Sequence, residues 1–227
     1  MKHRSLRRAL PLLLLLIGVP VVLLLCAHLN RKYYIGGSAV IGLTFLAFAL
    51  HFEGRKPHAR ELVLLAVMSA LAVASRVVFA AIPHFKPTVA IIMLTGIVFG
   101  PESGFLTGAL TGFVSNFIFG QGPWTPFQMF AWGMIGLLAG FLQKPLKKSK
   151  LALSLYGVFA GAAYSCIMDV WTVLWYDNAF HWELYLGALA TALPFIISYA
   201  LSNVVFLLLL GKPFGEKLER VKIKYGV

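Results

Sequence analysis

Apolar runs of about 20 residues recur along this chain from end to end, and that is the length an α-helix needs to cross a bilayer core of about 30 Å. The composition agrees: 59% of the residues are hydrophobic and only 12% are charged, more apolar surface than a soluble domain can bury. No stretch between the runs is long enough for a separate soluble domain. The predicted fold class is therefore all-α, a polytopic membrane helical bundle. Its spans fall at about 9–28, 33–51, 61–81, 88–100, 103–120, 126–142, 151–176 and 184–210. The span at 88–100 is short for a full crossing.

The first run follows KHRSLRR and so has the outline of a signal peptide. It is longer than the ~7–15 residues of a signal core. Leu-Leu-Leu precedes Cys26, where a lipoprotein cleavage site needs a small residue. The reading is a retained first helix.

A net charge of +12 raises the question of nucleic acid, but the bases answer it by their position. They cluster in KHRSLRR, GRKPHAR, QKPLKKSK and KPFGEKLERVKIK, the short segments between alternate spans, with no aromatic platform beside them. With both termini cytoplasmic, sixteen Lys and Arg lie inside and three outside (Arg31, Lys32 and Lys86), with Arg76 within a span. That is the positive-inside pattern, and it predicts a multi-pass protein of the cell membrane. Membrane lipid is a partner and nucleic acid is not.

This topology puts IPHFKPT (82–88), GQGPWTP (120–126) and WYDNAFHWELY (175–185) on the outer side. All three are rich in aromatic, proline and polar residues, whereas the inner connections are basic and plain. Recognition is expected on the outer side. In GQGPWTP, Pro123 and Pro126 stiffen the turn while Gly120 and Gly122 let it fold tightly.

Glycines recur every fourth residue: Gly104, Gly108 and Gly112, then Gly136 and Gly140, then Gly157 and Gly161. Such faces let membrane helices approach closely. Thr107 and Thr111, interleaved with the first set, are candidates for hydrogen bonds between helices. Ala66, Ala70 and Ala74 form a similar stripe on the third span. Packing within the chain is the default account of that stripe, and docking to another membrane protein the sharper one.

Polar groups at membrane depth cost free energy and so ask for a role. Arg76 lies about 15 residues, or about 22 Å, up its helix and can reach the outer interface. Asp169 lies within its span and must be paired, protonated or facing water. We expect it to face a cavity opening outward, with Arg76 as its partner or with the two as a structural ion pair. Asn116, Gln121 and Gln128 flank the glycine-proline turn, and amides that both donate and accept suit a neutral or zwitterionic solute. Trp124, Trp132, Trp171 and Trp175 offer flat apolar faces, although interfacial tryptophan also anchors to lipid. His84 and His181 read as exposed loop histidines without a second ligand at metal spacing. Cys26 and Cys166 lie inside apolar runs and read as buried hydrophobes. No HExxH, GxSxG or Walker A pattern occurs, so the chain reads as neither an enzyme nor an ATPase, and no cofactor is expected.

From ARELVLLAVMSALAVASR through IPHFKPTVAIIMLTGIVFGPESGFLTGALTGFVSNFIFGQGPWTPFQMFAWGMIGLLAGFL, the order of elements resembles the substrate-binding (S) component of energy-coupling factor (ECF) vitamin transporters. The resemblance covers about three quarters of the chain. It implies a six-helix substrate-binding membrane domain over 58–227, preceded by a two-helix membrane extension over 1–57 that departs from the family pattern. The extension is either a fused accessory pair or a shield over part of the bundle. It further implies a pocket for one vitamin or vitamin precursor in the outer half, and the polar and aromatic residues singled out above are the candidates to line it: Arg76, Asn116, Gln121, Trp124, Gln128, Trp132, Asp169, Trp171 and Trp175. The partners implied are a transmembrane coupling subunit and two ATPase subunits, with Ala66 and Ala70 at the docking face. Within the family the chain looks most like members linked to cobalamin or its precursors, and riboflavin satisfies the same aromatic argument. The alternative is a stand-alone secondary transporter or channel for a small polar solute, which breaks in midplane helices would favour.

Overall fold

A helix pairs every backbone donor with an acceptor inside its own segment, and the apolar runs adopt it here. The computed structural model describes residues 14–28, 39–40, 42–43, 46–47, 50, 59–177 and 180–226, and these contain helices and no strand. A π-helical turn, Leu14–Gly18, leads into α1 (Val19–His28). There follow α2 (Ala59–Val78), α3 (Thr88–Phe99), α4 (Pro101–Phe119), α5 (Thr125–Phe141), α6 (Gln143–Lys148), α7 (Lys150–Asp177) and α8 (Trp182–Tyr225). Most of the expected span at 33–51 lies outside the described residues, as do Cys26's side chain and the basic residues at 2–8, 31–32 and 55–56. Among the described residues, α2, α7 and α8 are long and apolar enough to cross a membrane.

α3 is the centre of the bundle. Every residue of it except Phe99 is buried, and α2, α4, α5 and α8 surround it. A helix apolar on all sides belongs in such a place. Its 12 residues span only about 18 Å, short of a full crossing. Gly100, at φ +105°, then turns the chain straight into α4, a backbone that favours glycine.

α4 and α5 pack through the glycine faces. A Cβ on Gly104 would sit 2.3 Å from the carbonyl oxygen of Gly136, and one on Gly108 2.3 Å from that of Trp132. Gly161 repeats the device between α7 and α8, where a Cβ would lie 2.7 Å from the Ala200 nitrogen. The threonines do not bridge the helices as expected. Thr111 donates to the Thr107 carbonyl of its own helix at 2.6 Å, and the buried Thr107 hydroxyl has no partner. The local i−4 carbonyl is the nearer acceptor, so the hydroxyl is satisfied without crossing.

Ser149 caps α7, its Oγ accepting from the Ala152 N–H at 3.2 Å. Tyr156 donates to the Ile135 carbonyl of α5 at 2.6 Å, and Asn203 of α8 donates to the Gly157 carbonyl of α7 at 3.1 Å. The last helix is longer than its apolar run. Expected over 184–210, it continues to Tyr225 through Pro194 and Pro213. The tail is helical because it has something to hold: Leu218 is buried, Lys222 donates to the Val98 carbonyl at 2.6 Å, and Glu219 pairs with Lys147. The basic connection at 143–150 likewise contains α6, folded around buried Leu146.

Val19, Val40 and Ala47 bury together with Phe105, Ala109, Met129 and Leu137, so the N-terminal stretch covers one side of α4 and α5. Ala66, Ala70 and Ala74 are exposed on α2, while Leu65, Met68, Ser69, Ala72 and Val73 face inward. Among the described residues, nothing packs closely over the alanine stripe.

Candidate functional site

The end of the bundle where α2 and α4 finish and α5 begins is built from polar side chains. Asn116, fully buried near the end of α4, is its hub. Its Oδ1 accepts from Arg76 Nη1 at 2.8 Å. Its Nδ2 donates to Thr125 Oγ1 at 2.9 Å and to Gln128 Oε1 at 2.8 Å. Arg76 Nη1 also donates to Ser115 Oγ, and Gln128 Nε2 donates to Tyr164 Oη at 3.1 Å. Four helices are thus tied by one hydrogen-bonded set, at a depth where an unsatisfied amide or guanidinium would be costly.

These groups border a cavity of about 300 Å³. Arg76 of α2, Thr88 and Val89 of α3, Gln128 and Trp132 of α5, Tyr164 of α7, and Tyr199, Ser202 and Asn203 of α8 form its walls. Ala80, Pro83, His84 and Lys86, from the connection between α2 and α3, close one side. Trp132 stacks on Tyr164 with ring centres 5.9 Å apart and planes 21° apart, and Tyr164 meets Tyr199 edge-on at 5.1 Å. The Arg76 guanidinium lies 5.3 Å from the Trp132 ring centre and 4.4 Å from that of Phe119. The indole N–H of Trp132 is buried and has no acceptor.

The connection is held down by its own bonds. Ser202 Oγ accepts from the Lys86 N–H at 2.8 Å and donates to the Lys86 carbonyl at 3.0 Å. His84 adopts a left-handed backbone, φ +59°, and its Nδ1 lies 2.8 Å from Tyr199 Oη, with the Phe195 ring 4.5 Å away. Burial, with the charge of Lys86 added, holds His84 below the usual histidine range. Burial, then Arg76, lowers Lys86 in the same way.

The nine expected contact residues divide into groups. Arg76, Gln128 and Trp132 line the cavity. Asn116 stands behind them as the hub. Gln121 is exposed and closes the turn, accepting from Thr125 Oγ1 and donating to the Phe113 carbonyl, both at 2.9 Å. Trp124, Trp171 and Trp175 form a second aromatic group: Trp171 stacks on Trp175 at 5.7 Å and meets Trp124 edge-on at 5.9 Å. Trp171 lies seven residues past Tyr164, on the same helix face but about 10 Å farther along. Asp169 does not line the cavity, and it makes no ion pair with Arg76. Five residues past Tyr164 turns a side chain about 140° round the helix, away from the cavity wall. Asp169 Oδ2 is buried without a hydrogen-bond partner.

Several cavity residues were missed from sequence or expected elsewhere. His84, expected to be exposed, is half-buried against Tyr199 because the left-handed turn folds it inward. His181 is exposed and lies 2.9 Å from Asp177. Tyr199, Ser202 and Asn203 carry a signal that was available, since residues at i, i+3 and i+4 share one helix face.

A family model described as the ECF-type riboflavin transporter, S component, matches residues 56–220. The chain belongs to this family. It is a membrane-embedded, multi-pass substrate-binding subunit of an ECF vitamin transporter, and the family's members are transporter subunits rather than enzymes. The family description names riboflavin, and nothing in the match favours cobalamin. No curated protein and no solved structure matches the chain. The matched region begins just before α2 and ends within α8.

Proposed function

We propose that this S component captures a flat heteroaromatic vitamin of flavin size in the cavity between Trp132, Tyr164 and Tyr199. It then hands the solute to a transmembrane coupling subunit driven by two ATPases. The observation that carries this reading is the pairing of a stacked aromatic wall with an amide, Gln128, fixed by Asn116. Rings recognise rings, and a held amide orients the polar edge of a heterocycle. Size argues against the cobalamin-type ligand: about 300 Å³ is at the lower end of ligand cavities, too small for a corrin macrocycle.

The cavity end faces outward and both termini face the cytoplasm on this reading, because Lys144, Lys147, Lys148 and Lys150 and the basic tail of α8 gather at the opposite end. The exposed Ala66 and Ala70 dock on the coupling subunit, beside an apolar groove of about 450 Å³ framed by α2 and α8. On this reading residues 1–57 are a membrane extension to the substrate-binding domain over 58–227, whose six longer helices are interrupted by the short α6 in the connection before α7.

Purification followed by mass spectrometry of bound small molecules, with titration of riboflavin by fluorescence quenching, tests the assignment. One riboflavin per protein is expected. Tight binding of a cobalamin instead, or uptake into vesicles without ATP, would overturn it.

A further inference from the structure

The cavity wall carries two cations and no acid. Arg76 and Lys86 both line it, and no aspartate or glutamate does. Arg76 spends only Nη1 on the protein, and on neutral partners, Ser115 and Asn116. Its Nε and Nη2 meet no acceptor among the described residues, and neither does Lys86 Nζ. Both cations sit by the same ring, 4.4 Å and 5.3 Å from the centre of Phe119, and so within about 10 Å of each other, about a Debye length. Like charges that close and partly out of water repel, and each loses hydration. Lys86 is also fixed in place, because both polar groups of its backbone are bonded to Ser202. Phe119 and Trp132 offer their faces to the Arg76 guanidinium but bring no counter-charge.

We propose that Arg76 and Lys86 form an oxyanion subsite, so that the captured solute is a flat ring system bearing a phosphate or carboxylate. The Nε/Nη2 edge of an arginine matches two oxygens of such a group, and an ammonium adds a point charge beside it. The solute's ring lies along Trp132 and Tyr164 while its oxyanion reaches the two cations. The inference rests on the reading of this cavity as the solute site. A lipid headgroup would offer the same phosphate chemistry, and the test separates the two sources.

Riboflavin and riboflavin 5′-phosphate are titrated into the purified protein in lipid-free maltoside detergent, then in nanodiscs of zwitterionic lipid with and without added anionic lipid. The wild type is expected to bind the phosphate ester about tenfold more tightly, the scale of one charge-assisted hydrogen bond, with the preference shrinking as salt rises. Lys86→Gln and Arg76→Gln should each bring the ratio of the two affinities towards one. Lys86 lies in a connection rather than a packed helix, so its variant keeps the test independent of any folding defect at Arg76; melting curves accompany both. Equal affinities for the two flavins in the wild type would overturn the oxyanion subsite and leave flavin capture standing. A riboflavin affinity that falls with anionic lipid in the wild type but not in Lys86→Gln, with no preference in detergent, would assign the cations to headgroups and overturn the solute subsite. Binding of neither flavin by protein with an intact melting transition would overturn the flavin reading, and this inference with it.

Discussion

Asn116 makes three hydrogen bonds and is wholly buried, so its amide fixes where Gln128 and Arg76 stand. Truncating it leaves the Gln128 carbonyl without a donor, and a stranded buried polar group costs about 1–3 kcal/mol. Asn116→Ala is therefore expected to lower the melting temperature and weaken riboflavin binding about tenfold, as read by thermal denaturation and fluorescence titration. Gln121→Ala should change stability by less than about 0.5 kcal/mol, because Gln121 is exposed and only tightens the turn. Equal effects of the two substitutions would show that the hub is not Asn116. The amides were legible in the sequence because they stand beside an obvious turn. Which amide faces the cavity was not, since that depends on how α4 and α5 rotate when their glycines meet. Asp169 shows the same limit: its depth could be read, but the 140° that takes it off Tyr164's face needed a helix register fixed by neighbours.

Helix-to-helix contact is set by the glycine faces. Gly108 lies against the Trp132 carbonyl, a backbone atom that cannot swing aside. Gly108→Ala is expected to push α4 from α5 and cost about 1–3 kcal/mol, with binding lost because Trp132 moves with α5. Gly187 is the control. It lies in α8 with nothing within 4 Å of a built Cβ, so Gly187→Ala should leave stability unchanged or raise it by up to about 1 kcal/mol. Melting curves of the two variants in one detergent decide it. The spacing of these glycines announced close packing, and the helix pair follows from it. The tail of α8 was less legible. It was counted only as a basic segment beyond the last span, yet Leu218, Glu219 and Lys222 at helical spacing bind it to the bundle.

At the scale of the molecule, the two ends have different characters. One end holds the cavity and its hydrogen-bonded polar set. The other holds the basic connections and, alongside it, the exposed alanine stripe. Small residues left bare on a membrane helix permit a close helix neighbour, and a bulky side chain there forbids it. Ala70→Trp is expected to leave riboflavin binding within about twofold and to abolish ATP-driven uptake when the coupling subunit and ATPases are co-expressed. Normal uptake by Ala70→Trp would place the docking face elsewhere. The division into ends was visible in the charges alone, whereas the cavity was not. Five helices and one connection supply its walls, and no single run of sequence contains them.

α8 joins these two ends in one continuous helix. Tyr199 borders the cavity and Tyr225 accepts from Arg60 at the base of α2, about 39 Å away along the axis. A rod of that length is a lever. A tilt of about 5° at the cavity carries its far tip about 3 Å, enough to break the bonds of Lys222 and Arg60 to their carbonyls. Whatever seats itself against Tyr199 can thus be felt on the opposite face to the extent that the helix holds its line through Pro213, where one backbone hydrogen bond is missing.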